Sequence, residues 1–145
     1  MIKLILTSLG FTLLLTLAAP CSAAEGTGQE THAQKAVLIT GASTGIGRKI
    51  AEDLAQQGHF VYAGARKQKD LDALNQIKNI QAVRLDVTIQ AEIDAAVETV
   101  RKGGKGLFGL VNNAGVYIGG PLIEVDIEEL QWIMDINVNG VYRVT

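Results

Sequence analysis

"VLITGASTGIGRKI", residues Val37 to Ile50, sets three glycines between a short apolar run and an amphipathic one. Thr40, Gly41, Gly45 and Gly47 fall where a strand turns into a helix, so the amides of the turn point outward at the positive end of a helix dipole. An anion belongs there. Gly41 permits the tight turn, Gly45 lets a pyrophosphate approach the backbone, and Gly47 lets the helix pack close to the strand. A glycine-rich turn without a ligand is the alternative. A strand before the motif and a helix after it favour the phosphate reading.

Outward from this stretch, apolar runs of strand length alternate with segments of helical period. Strands are expected at Ala36 to Thr40, Phe60 to Ala63, Ile80 to Leu85 and Leu107 to Val111. Between them lie "IGRKIAEDLAQQG", closed by Gly58, then "KDLDALNQI", then "AEIDAAVETVRKGG", ended by Gly103 and Gly104. A last helix runs from Asp126 to the chain end, with Asp126 and Glu129 at capping-box spacing. Right-handed crossovers turn this order into an α/β, Rossmann-type doubly wound parallel sheet of four strands in the order 3-2-1-4, with further strands expected beyond it.

A dinucleotide fold meets the adenosine ribose about twenty residues beyond the glycines, at the end of the second strand. Ala65 stands there, followed by Arg66. An acidic residue would hold the ribose hydroxyls of NAD and repel the extra phosphate of NADP. Uncharged Ala65 beside a guanidinium does the reverse, because arginine forks onto a phosphate. NADP(H) is therefore expected over NAD(H), the alternative being that Arg66 is a solvated loop cation in "RKQKD".

The first 24 residues have a different character. Lys3 precedes an apolar run from Leu4 to Ala19, and Ser22 and Ala24 are spaced like a peptidase site, which reads as a signal peptide or, uncleaved, as an N-terminal anchor. Cleavage would give an exported protein, periplasmic or secreted; an anchor would hold it at a membrane. Residues 25–34 read as a flexible lead-in, and 35–145 as one domain. The only cysteine is Cys21, so no disulfide framework is available. Net charge is −2, which argues against a nucleic-acid partner, and the two histidines, His32 and His59, stand apart from any metal-ligand spacing.

"TGASTGIG" (Thr40 to Gly47), "LDVT" (Leu85 to Thr88), "NNAG" (Asn112 to Gly115) and "NVNG" (Asn137 to Gly140) occur in the order and approximate spacing of the short-chain dehydrogenase/reductase family, which the chain resembles from Lys35 to Thr145. The resemblance implies that Thr40, Gly41, Ser43, Gly45, Ile46 and Gly47 surround the cofactor phosphates and adjoining ribose. It places Asp86 and Val87 along the adenine, and Asn113, Ala114 and Gly115 beside the nicotinamide ribose. Asn137 would be the family's active-site asparagine, which holds its helix and a water beside a catalytic lysine. The residues single it out independently: Leu130, Ile133, Met134, Asn137 and Val141 fall on one helical face, so an amide interrupts an apolar stripe and must find partners if buried. Asn139 points to the opposite face.

By the same resemblance the full-length protein is a homo-oligomer and an oxidoreductase, passing hydride between NADP(H) and a small carbonyl or alcohol. The family moves the proton with a serine and a Tyr-x-x-x-Lys pair. Tyr62 is followed four residues on by Arg66 and Tyr117 by Pro121, while Tyr142 has no fourth successor, so the pair is absent from these 145 residues. The chain reads as the cofactor-binding half of a longer enzyme, inactive alone. A non-catalytic dinucleotide-binding or interaction module, or a degenerate gene fragment, are the alternatives.

Overall fold

The computed structural model describes residues 34–145. The leader expected over residues 1–24 and the lead-in up to residue 33 lie outside the described residues. Strands β1 (Ala36–Ile39), β2 (Phe60–Ala65), β3 (Ile80–Arg84) and β4 (Gly109–Val111) alternate with helices α1 (Gly45–Gln56), α2 (Gln68–Asn75) and α3 (Gln90–Lys102). All pairings are parallel and the order is β3-β2-β1-β4, as expected. Alternate residues of the strands feed two cores. Val37, Ile39, Val61 and Ala63 pack with Ala51 and Ala55 of α1 and Leu71 and Leu74 of α2. Leu38, Tyr62 and Val83 pack with Ile93, Ala96 and Val100 of α3 on the other face. Burial on both faces is what makes β1 and β2 nearly continuous apolar runs, whereas the edge strand β3 leaves Gln81 and Arg84 exposed.

Helix α1 ends in a Schellman motif. Gly58 takes φ +92°, its N–H bonds Ala55 O at 3.2 Å, and the His59 N–H bonds Leu54 O at 3.0 Å. At the end of α3 the left-handed residue is Gly104 (φ +67°), whereas Gly103 serves packing: a Cβ on it would collide with the Tyr62 hydroxyl. That hydroxyl is buried without a partner, and burial pushes its pKa up.

The expected elements differ in detail: β1 and β3 each end one residue earlier than expected, at Ile39 and Arg84. β2 runs two residues past Ala63, to Ala65. β4 begins at Gly109, two residues later than expected, after the turn at Gly106 (φ +67°); the Phe108 N–H still bonds the Ala36 carbonyl at 2.8 Å, and Lys35 sits 4.2 Å above the exposed Phe108 ring. The final segment is α4 (Ile127–Met134), a π-helical turn (Asp135–Asn139) and α5 (Gly140–Val144), preceded by a 3₁₀ turn at Leu122–Glu124. Asp126 occupies the N-cap of α4 without a side-chain cap bond, so the capping box does not form. No residue of α4 is buried, and the stripe expected to be covered leaves Leu130, Met134 and Val141 exposed. Among the described residues no helix is long and apolar enough to cross a membrane, and no group of three or more His, Cys, Asp or Glu could hold a metal.

Candidate cofactor-binding site

At the carboxyl ends of the strands, where open α/β sheets bind ligands, a cavity of ≈ 380 Å³ is walled by the glycine loop, the ends of β2 and β3 and the loop after β4. Its base is a tie between two loops distant in sequence. Thr40, 1% exposed, accepts hydrogen bonds on its hydroxyl from the Asn113 N–H at 3.0 Å and the Ala114 N–H at 2.9 Å. The Asn113 amide reaches back, donating to the carbonyls of Thr40 and Gly41, each at 3.0 Å. A Cβ on Gly41 (φ +65°) would meet the Ala114 Cα at 2.8 Å, and one on Gly47 would strike the Asn113 side chain. Gly47 therefore makes room for Asn113 and the Gly41 carbonyl rather than for the strand.

Gly45 behaves otherwise. Its φ is +59°, yet nothing lies within 4 Å of a Cβ built on it, so it is glycine for its backbone conformation and faces open space. Thr44 caps α1 with no side-chain bond and no acidic residue occupies the first turn, leaving the first amides of α1 free for an anion. Among the expected phosphate-side residues, Gly41, Ser43, Ile46 and Gly47 line the cavity. Thr40 lies beneath it and Gly45 is outside its wall.

At the end of the cavity where the sequence led us to expect the adenosine, the structure brings together Ala65, Arg66, Asp86 and Val87. Asp86 does not cap α3, whose N-cap is Ile89. Its Oδ1 instead accepts from the Thr88 N–H at 3.0 Å and the Thr88 hydroxyl at 2.7 Å, while Oδ2 lies 3.6 Å from a terminal nitrogen of Arg66. The Asp86 N–H is held by Glu92 Oε2 at 2.7 Å, and Glu92 Oε1 by Arg84 at 3.0 Å. Burial acts to raise the Asp86 pKa, but the two Thr88 bonds and the Arg66 charge outweigh it and hold the carboxyl below its ordinary value.

Asn113, Ala114 and Gly115 form the opposite wall, continued by Val116 and Ile136. Asn137 clamps the Val116 peptide: its Oδ1 accepts the Val116 N–H and its Nδ2 donates to the Val116 carbonyl, both at 2.8 Å. The amide has the partners its type demands, but it is exposed rather than buried, because no described residue covers that face of the helix. Asn139 lies exposed, 3.3 Å from Asp135 Oδ1. Sequence reasoning missed Thr44, Leu85, Val116 and Ile136 in the lining, and also Arg143. The Arg143 guanidinium bridges Asp135 Oδ1 at 2.6 Å and the Val87 carbonyl at 3.5 Å, bracing the π turn against the β3 loop. Pairing with Arg143 holds the Asp135 carboxyl below its ordinary value, helped by Asn139.

None of the three tyrosines lines the cavity; Tyr117 and Tyr142 are almost fully exposed. A second hollow of ≈ 260 Å³ lies between α3 and the end of α5, with Ile93, Val97, Val100, Leu107 and Val144 in its wall. Arg101 is its one charged lining residue, so it lacks the converging donors that a polyanion needs.

A family model described as short chain dehydrogenase matches residues 35–145. The chain is 40% identical over 115 residues to the NADPH-dependent 1-acyldihydroxyacetone phosphate reductase of Schizosaccharomyces pombe, covering 78% of this chain and 38% of that protein. In structure it is similar to the 3-ketoacyl-(acyl-carrier-protein) reductase from Brucella melitensis complexed with NADH, with a TM-score of 0.72 and 34% identity over 76% of this chain and 46% of that one. It is also similar to an actinorhodin polyketide ketoreductase with NADPH, with a TM-score of 0.72 and 33% identity over 77% of this chain and 44% of that one. The chain thus spans less than half the length of these relatives.

Proposed function

The chain belongs to the short-chain dehydrogenase family, and from that membership we propose that it forms the dinucleotide-binding part of an oxidoreductase passing hydride between NADP(H) and a small carbonyl or alcohol. The observation that carries the reading is the shape and charge of the cavity. A glycine loop with free helix amides lies at one end, and at the other uncharged Ala65 stands beside the Arg66 cation. The bound nicotinamide supplies the hydride chemistry. The residues of this chain bind and orient. The first amides of α1 and Ser43 take the pyrophosphate, and Gly45 leaves the approach open. Val87 would lie along the adenine and the Asp86 carboxylate would accept from its amine, with Thr88 fixing the plane of the carboxylate. Asn113, Ala114 and Gly115 bound the nicotinamide side. Asn137 holds the loop after β4 in register through Val116, and in the family's scheme it is the active-site asparagine.

The S. pombe relative is named as NADPH-dependent and one solved neighbour carries NADPH, while another carries NADH. Preference for NADP(H) therefore rests on Ala65 and Arg66. Equilibrium dialysis tests it: NADPH binds more tightly than NADH, and Ala65→Asp with Arg66→Ala reverses the order. Equal affinities in both proteins would refute the preference.

A second reading, dinucleotide binding without turnover by these 145 residues, is favoured by Tyr62 and Tyr117, which stand away from the cavity and are followed four residues on by Arg66 and Pro121. Hydride transfer to a carbonyl would leave an alkoxide with no positioned acid, a loss of about 10²–10⁴ in rate from that role alone.

A further inference from the structure

The two oxygens of the Asp86 carboxylate have different duties. Oδ1 is occupied by both Thr88 donors, which fix the carboxylate plane, and this leaves Oδ2 on the cavity wall. The group within ion-pair reach of Oδ2 is Arg66. The Arg66 side chain is 59% exposed and follows directly on the end of β2, so the chain's packing does little to hold it. Among the described residues Asp86 is its one ion-pair partner.

We propose that Asp86 is a positioning and specificity-determining residue for the ribose 2′-phosphate, acting through Arg66: the carboxylate keeps the guanidinium at the adenosine end of the cavity, and the guanidinium in turn masks a carboxylate that would repel the phosphate. The inference rests on the dinucleotide reading above. The geometry permits both duties at once. One guanidinium nitrogen faces Asp86, and the fork leaves its other donors for a phosphate. Discrimination between NADP and NAD then belongs to the pair. Removing Arg66 does two things, deleting a phosphate contact and unmasking a negative charge on the cavity wall. Removing the charge of Asp86 matters to the 2′-phosphate chiefly in the way Arg66 dictates.

A double-mutant cycle separates these effects. Adenosine 2′,5′-bisphosphate and adenosine 5′-monophosphate probe the adenosine end alone, and equilibrium dialysis measures both against the full 145-residue chain, R66A, D86N and R66A/D86N. Asparagine keeps an oxygen for Thr88, so D86N preserves the turn, which a thermal melt of each variant checks. The bisphosphate binds wild type more tightly than the monophosphate does. R66A costs about two- to fivefold more bisphosphate affinity with Asp86 present than in the D86N background, the range for a half-exposed ion pair. R66A/D86N binds the bisphosphate more tightly than R66A does, and the monophosphate shows no such coupling.

Additive effects on the bisphosphate, or equal coupling for both nucleotides, would overturn the proposal. A chain that binds neither nucleotide refutes the dinucleotide reading instead. The pairing is then decided without ligand, by the ¹³C titration of the Asp86 carboxyl: R66A moves its midpoint upward and Arg66→Lys restores part of the shift, whereas an unmoved midpoint overturns the tether.

Discussion

Replacing Thr40 by valine keeps the shape of the side chain and removes only its hydroxyl. That hydroxyl is the acceptor for the N–H groups of Asn113 and Ala114, at 3.0 and 2.9 Å, and it lies beneath the cavity at 1% exposure. Valine therefore leaves two donors facing a methyl group. An orphaned buried donor costs about 1–3 kcal/mol. The two N–H groups are partly buried, which puts the pair in the lower part of that range, and the valine methyl returns a little apolar contact. A net loss of about 2–3 kcal/mol follows, a large share of the about 5–15 kcal/mol that stabilises a domain. At about 4–8 °C per kcal/mol for a domain near this size, the thermal midpoint falls by roughly 10 °C or more. Urea unfolding followed by circular dichroism gives the free energy independently. Thr40→Ser keeps the hydroxyl and loses less than half as much. A Thr40→Val protein within about 0.5 kcal/mol of wild type would refute the idea that this hydroxyl ties the glycine loop to the loop after β4.

Asn137→Ala removes both bonds to the Val116 peptide, which are exposed, so global stability falls by only about 0.5–1 kcal/mol while hydrogen exchange at the Val116 amide accelerates strongly. Unchanged exchange would mean that the clamp does not form in solution. The 145-residue chain shows no NADPH oxidation above the buffer rate with a panel of ketones and aldehydes. Turnover of several per second would reveal a proton donor beyond the family's serine and tyrosine.

The sheet was legible because its information is local: strand-length apolar runs, helical periods between them, and Gly58 at the end of α1 as the C-terminal glycine of a Schellman motif. The cavity's lining was legible at Arg66 and Asp86, which both stand on its wall, and the positive φ of Gly45 suits its residue type. The site was not legible where the reason lies far away in sequence. Gly47 is tight against Asn113, and the duty of Thr40 appears only once the loop after β4 is brought against its hydroxyl. The π turn at Asp135–Asn139 has no local signature either. Arg143 braces it against Val87, and a Cβ on Gly140 would meet the Val87 side chain at 2.6 Å, so packing against the β3 loop decides the shape of that helix.

The central claim, a dinucleotide seated between the glycine loop and the adenosine end of the cavity, is tested most directly by hydrogen–deuterium exchange of the chain with and without saturating NADPH. The account predicts slowed exchange in peptides covering residues 41–48 and 84–88, and none in those covering the apolar hollow along α3, residues 93–107. Protection confined to 93–107, or exchange unchanged throughout, would contradict it.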